Sequence, residues 1–137
     1  DLLKALQSSQ VYVYCGHNGG GTYLPRKQVQ RMTTRCSMLL MGCSSVRLAE
    51  SSGVVDATGV TYDFLGAGAP CVVGNLWTVL SGPEDAMTLA LLRALAAPQG
   101  VSLAQVVAEL REVCTEKECP MINAYGLVHY GLGAPLL

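Results

Sequence analysis

Two apolar runs, residues 11–15 (VYVYC) and 37–42 (SMLLMG), each end beside a glycine that leads into a chemically reactive residue. The first gives Gly16-His17 and the second Gly42-Cys43. Short unbroken apolar runs bounded by glycine read as strands buried on both faces. Between them, residues 16–21 hold four glycines, which forces an open loop. A short helix is expected over 26–32, with Pro25 at its first position. Strand, helix, strand over this length is a βαβ unit, whose right-handed crossover makes its strands parallel and neighbouring. Cys43 follows His17 by 26 positions. Both then lie just past the carboxyl ends of strands about 4.8 Å apart, on the edge where open α/β sheets carry their sites.

The same alternation continues. A helix end is expected over 1–9, a polar surface loop after Ser45, and a helix over 60–65 closed by Gly66 and Gly68. A third strand is expected over 71–76. Helices over 84–96 and 102–113 follow, and an edge strand within 123–130. There is no internal repeat and no low-complexity segment. The reading is an α/β domain with a mainly parallel sheet flanked by helices on both faces.

Composition fits such an interior. Half of the 137 residues are hydrophobic, 14% are charged and the mean hydropathy is +0.35, enough for a sizeable core without disulfides or metal. A net charge of −1 gives no electrostatic footprint for nucleic acid. The apolar stretch over 86–97 is broken by Arg93 and is too short to span a membrane. Of six cysteines, Cys15, Cys36, Cys43 and Cys71 lie in or beside apolar runs, where reduced cysteine acts as a small buried hydrophobe. That pattern favours a reducing compartment. The start at Asp1 suggests a fragment of something longer, with the sheet completed by upstream segments.

A histidine and a cysteine at one sheet edge are the parts of an activated thiol. Thiolate is the nucleophile, and a neighbouring imidazole can accept its proton. A helix opened by Ser44 and Ser45 would favour the thiolate through its dipole. The Cys43 N–H and an N–H from the glycine loop (Gly16, Asn18, Gly19) can form an oxyanion hole, each donor worth about 3 kcal/mol. The plainer alternative makes His17 a turn residue and Cys43 a buried thiol.

At these residues the chain resembles the separase family of caspase-like cysteine endopeptidases. GHNGGGTYLPRKQVQRM resembles the family's histidine loop and helix, and LLMGCSS its nucleophile segment. TYDFLGAGAPCVVGNLW, LREVC and NAYGLVHYGL resemble later segments in the family's order. The resemblance implies a caspase-like fold, Cys43 as nucleophile and His17 as base. It also implies cleavage of a cohesin kleisin after arginine, inhibition by a securin-like chain, no cofactor, and work in cytoplasm and nucleus. An acidic residue must then pair the substrate guanidinium. After Trp77 the segment WTVLSGPEDAM offers Glu84 and Asp85, with Asp85 favoured by position and Trp77 as core or cleft wall. Two departures stand out. Asn18 replaces the glycine that follows the family's histidine, and Thr78 and Ser81 occupy places where the family tends to be acidic.

Other patterns are weaker. Cys114, Cys119 and His129 are too loosely spaced, and lack a fourth ligand, for a zinc site. Gly19-Gly20-Gly21 lacks the ending of a phosphate loop. Arg26, Lys27, Arg31 and Arg35 form a basic group that reads as a solvated helix face, or as an attraction for acidic substrate residues. Two rival readings remain. One is a CHAT-type protease, against which Gly42-Cys43-Ser44-Ser45 argues. The other is an inactive module that binds a securin-like chain without cutting it.

Overall fold

The computed structural model describes residues 2–49, 57–97, 102–113 and 121–133. Cys114 and Cys119 lie outside them. Four strands form one sheet in the order β1 (Val11–Cys15), β2 (Ser37–Met41), β3 (Cys71–Asn75), β4 (Leu127–Gly131). The β1–β2 and β2–β3 pairs are parallel, and β4 runs antiparallel to β3. The expected crossover is therefore present.

Alternation along the strands divides the core. Leu39 and Met41 of β2, with Cys71 and Val73 of β3, pack beneath α4 (Ser81–Leu95), α5 (Leu103–Val113) and α6 (Met121–Gly126). Met38 and Leu40, with Val72, face the opposite way against α1 (Leu2–Ser8), α2 (Arg26–Val29) and α3 (Val60–Gly66). Every residue of β2 and β3 is buried, as continuous apolar strands covered on both faces must be. No helix among the described residues is long and apolar enough to cross a membrane.

Several boundaries differ from the sequence reading. Helix α2 is a single turn, with Pro25 as its cap rather than its first residue, because the proline backbone is extended (ψ 135°). Helix α4 begins at Ser81, three residues early. Pro83 is tolerated there because first-turn N–H groups have no intrahelical acceptor anyway. Residues 121–126 are helical before β4 begins at Leu127. No helix opens at Ser44-Ser45. Ser44 has φ 53°, the left-handed region, and residues 43–46 form a turn. Cys15 is exposed rather than buried, because the last residue of edge strand β1 runs out from under its helical cover into the loop.

Candidate active site

The site is set by strand register. Cys15 pairs with Met41 across β1 and β2, so His17 and Cys43 each lie two residues beyond one paired rung. The loops that carry them touch through Gly42. A β-carbon there would lie 2.3 Å from the Gly16 carbonyl oxygen and 2.5 Å from that of Asn18. Only glycine lets these backbones meet at that distance. Gly19 repeats the device, since a β-carbon would fall 2.7 Å from the Ser45 carbonyl oxygen. Asn18 holds φ 52°, a conformation asparagine tolerates better than most residues. Tyr14 supports the loop from below by donating its hydroxyl to the His17 carbonyl at 3.1 Å.

Cys43 is half-buried and His17 exposed. The Cys43 sulfur rests on the Val79 peptide, with Val79 N–H donating to it and Val79 C=O accepting from it, both at 3.5 Å. The first contact serves thiol and thiolate alike, whereas the second requires the S–H. Among the described residues no hydrogen bond joins the sulfur to the imidazole. The Cys43 turn is fixed to the sheet. Ser44 N–H donates to Trp77 C=O at 2.9 Å, and Ser45 Oγ accepts from Asn75 N–H at 3.0 Å while donating to Leu40 C=O.

The two carboxylates of the arginine-pocket expectation part company. Glu84 faces inward, 6% exposed, with Oε1 accepting from Asn75 Nδ2 at 2.6 Å. Burial pushes its carboxyl above the usual range, against the Asn75 hydrogen bond, and the charge of Asp85 adds to the rise. Asp85 is exposed. Partial burial, then the charges of Asp85 and Glu84, push the Cys15 thiol up. Trp77 is 40% exposed, with its indole N–H donating to Ile122 C=O at 2.7 Å.

Arg26 is not a free cation. It forms a two-point ion pair with buried Asp63 on α3, whose Oδ1 also accepts from Gln30 at 2.7 Å. Among the described residues, no cluster of three or more His, Cys, Asp or Glu side chains could hold a metal. Sequence reasoning missed Asn75 and Asn123. Asn75 is fully buried at the end of β3, and Asn123 clamps both the N–H and the C=O of Leu80. The available signal for Asn75 was an amide closing an otherwise apolar strand.

A mainly parallel, two-sided α/β sheet with these loops at its carboxyl edge defines the class: an open α/β domain with its candidate site at the strand ends. Residues 1–80 match the family described as "Separin, protease domain", and the chain belongs to that family. It is 32% identical to separin of Saccharomyces cerevisiae over 96% of its length, and 31% identical to separin of Schizosaccharomyces pombe over all of it. It is 38% identical to mouse separin over 65% of its length. The crystal structure of the Saccharomyces cerevisiae separase–securin complex superposes on 96% of the chain with a TM-score of 0.82 and 33% identity. The chain spans 8% of the length of the two yeast separins, 4% of the mouse one, and 9% of the superposed chain.

Proposed function

We propose that the chain is the catalytic part of a cysteine endopeptidase in which Cys43 attacks and His17 moves the proton. One observation carries the reading: Gly42 seats the Cys43 turn directly beneath the backbone of Gly16 and Asn18. Rotation about the Cys43 Cα–Cβ bond takes the sulfur off Val79, a change between staggered rotamers. The thiol passes its proton to the His17 imidazole, the resulting thiolate adds to the scissile carbonyl carbon, and the Cys43 N–H with an N–H of the Gly16–Asn18–Gly19 loop donates to the oxyanion. Collapse expels the amine, which takes its proton from His17. Water, deprotonated by His17, hydrolyses the thioester.

Asp85 would pair the guanidinium of an arginine before the scissile bond, with Trp77 as the cleft wall. Glu84 stays inside. The substrate is a cohesin kleisin cut after arginine, the inhibitor a securin-like chain, and the compartments cytoplasm and nucleus. Family membership supports the substrate assignment and the likeness to a separase solved with securin the inhibitor, while the compartments rest on the reduced-cysteine pattern of the sequence.

The test is cleavage of an arginine-containing kleisin peptide by the intact protein. Cys43→Ser is expected to abolish turnover with folding retained, and His17→Ala to slow it by about 10²- to 10⁴-fold, the usual worth of a general base. Undiminished cleavage by Cys43→Ser would contradict the reading.

A further inference from the structure

Beneath the Cys43 turn lies a buried polar chain. The Gly42 carbonyl accepts from Ser45 N–H at 3.2 Å and from Asn75 Nδ2 at 3.3 Å. The same Nδ2 donates to Glu84 Oε1 at 2.6 Å. An asparagine amide can present either its oxygen or its nitrogen. Here two acceptors, the Gly42 C=O and Glu84 Oε1, both demand the nitrogen. Every peptide among the described residues is trans, so a carbonyl held toward Asn75 sets the following N–H, that of Cys43, in the opposite direction. That N–H makes no hydrogen bond with the described residues.

We propose that Asn75 and Glu84 are a positioning pair: Glu84 fixes the orientation of the Asn75 amide, which anchors the Gly42 carbonyl and aims the Cys43 N–H at the oxyanion. The inference rests on the protease reading above. The raised carboxyl of Glu84 is consistent with it, since a neutral acid still offers Oε1 as acceptor. Asn75 Oδ1 and Glu84 Oε2 are buried without a partner among the described residues, the sign of a polar group kept at a stability cost.

That cost makes the test discriminating. Removing one partner strands the other, whereas replacing both by apolar groups is nearly neutral for stability. Steady-state cleavage of an arginine-containing peptide and melting temperature are measured for the intact protein and four variants: Asn75→Ala, Glu84→Leu, Glu84→Gln, and the double variant Asn75→Ala/Glu84→Leu. Expected for Asn75→Ala and Glu84→Leu is a kcat lower by about 10- to 100-fold, with KM within about threefold. Glu84→Gln keeps an acceptor and should recover kcat to within about fivefold of wild type. The double variant should melt no lower than Asn75→Ala yet keep the low kcat. Recovery of kcat with stability in the double variant, or unchanged kcat throughout, overturns the inference alone. Absence of Cys43-dependent cleavage by wild type overturns the protease reading and this inference with it.

Discussion

Gly42 has no room for a side chain. The atoms in the way belong to the backbone of Gly16 and Asn18, not to side chains that can swing aside. Gly42→Ala must therefore push the histidine loop and the cysteine turn apart, a displacement that routinely costs on the order of 10²-fold in rate. Overpacking of this kind costs about 1–3 kcal/mol of stability. Expected is a folded variant with a modestly lower melting temperature and severely reduced turnover, read by calorimetry and peptide cleavage together. Full activity would show that the close loop approach is unnecessary. Asn18 and Ser44 both hold positive φ without being glycine, and they flank this contact on its two sides.

The elements around the site are tied by a few polar contacts. Helices α2 and α3 are joined by Arg26, Gln30 and Asp63. Burial would raise the Asp63 carboxyl, but the hydrogen bonds from Arg26 and Gln30 and the charge of Arg26 outweigh it and hold it below the ordinary value. A depressed carboxyl contributes stability that is present above its unfolded value of about 3.9 and lost as pH falls through the folded one. Melting temperatures of wild type and Asp63→Asn should thus differ most near neutrality and converge below about pH 4. A gap that persists unchanged into acid would remove Asp63 from the acid response.

Much of this level was legible from periodicity and punctuation. Continuous apolar runs marked β2 and β3, and the glycines marked the loops. The start of α4 was obscured by Gly82 and Pro83, which read as loop residues although a first helical turn accommodates them. The partner choice of Arg26 was illegible because Asp63 is distant in sequence and the two meet only through packing of α3 on α2.

At the scale of the molecule, sheet order and register carry the function. The 26-residue crossover could be read in advance because a right-handed βαβ unit permits one arrangement, and it brings His17 and Cys43 level on one edge. Position in the segment favours Asp85 over Glu84, and Asp85 is the exposed one, but the packing that turns Glu84 inward could not be read. Glu84 and Asp85 are adjacent, and the helix start that turns one inward lay three residues from its expected place. The buried Asn75–Glu84 chain was likewise hidden, since it depends on the first turn of α4 packing back against the end of β3.

The most direct measurement compares alkylation of the described cysteines by a peptidyl-arginine chloromethyl ketone, located by mass spectrometry on the intact protein. Cys15 is exposed at the end of β1, whereas Cys43 is half-buried in the turn that packs on the histidine loop. Selective labelling of Cys43, slowed by His17→Ala and by Asp85→Ala, is the expected result. Labelling that follows exposure, with Cys15 modified and Cys43 spared, would contradict the assignment of Cys43 as the nucleophile.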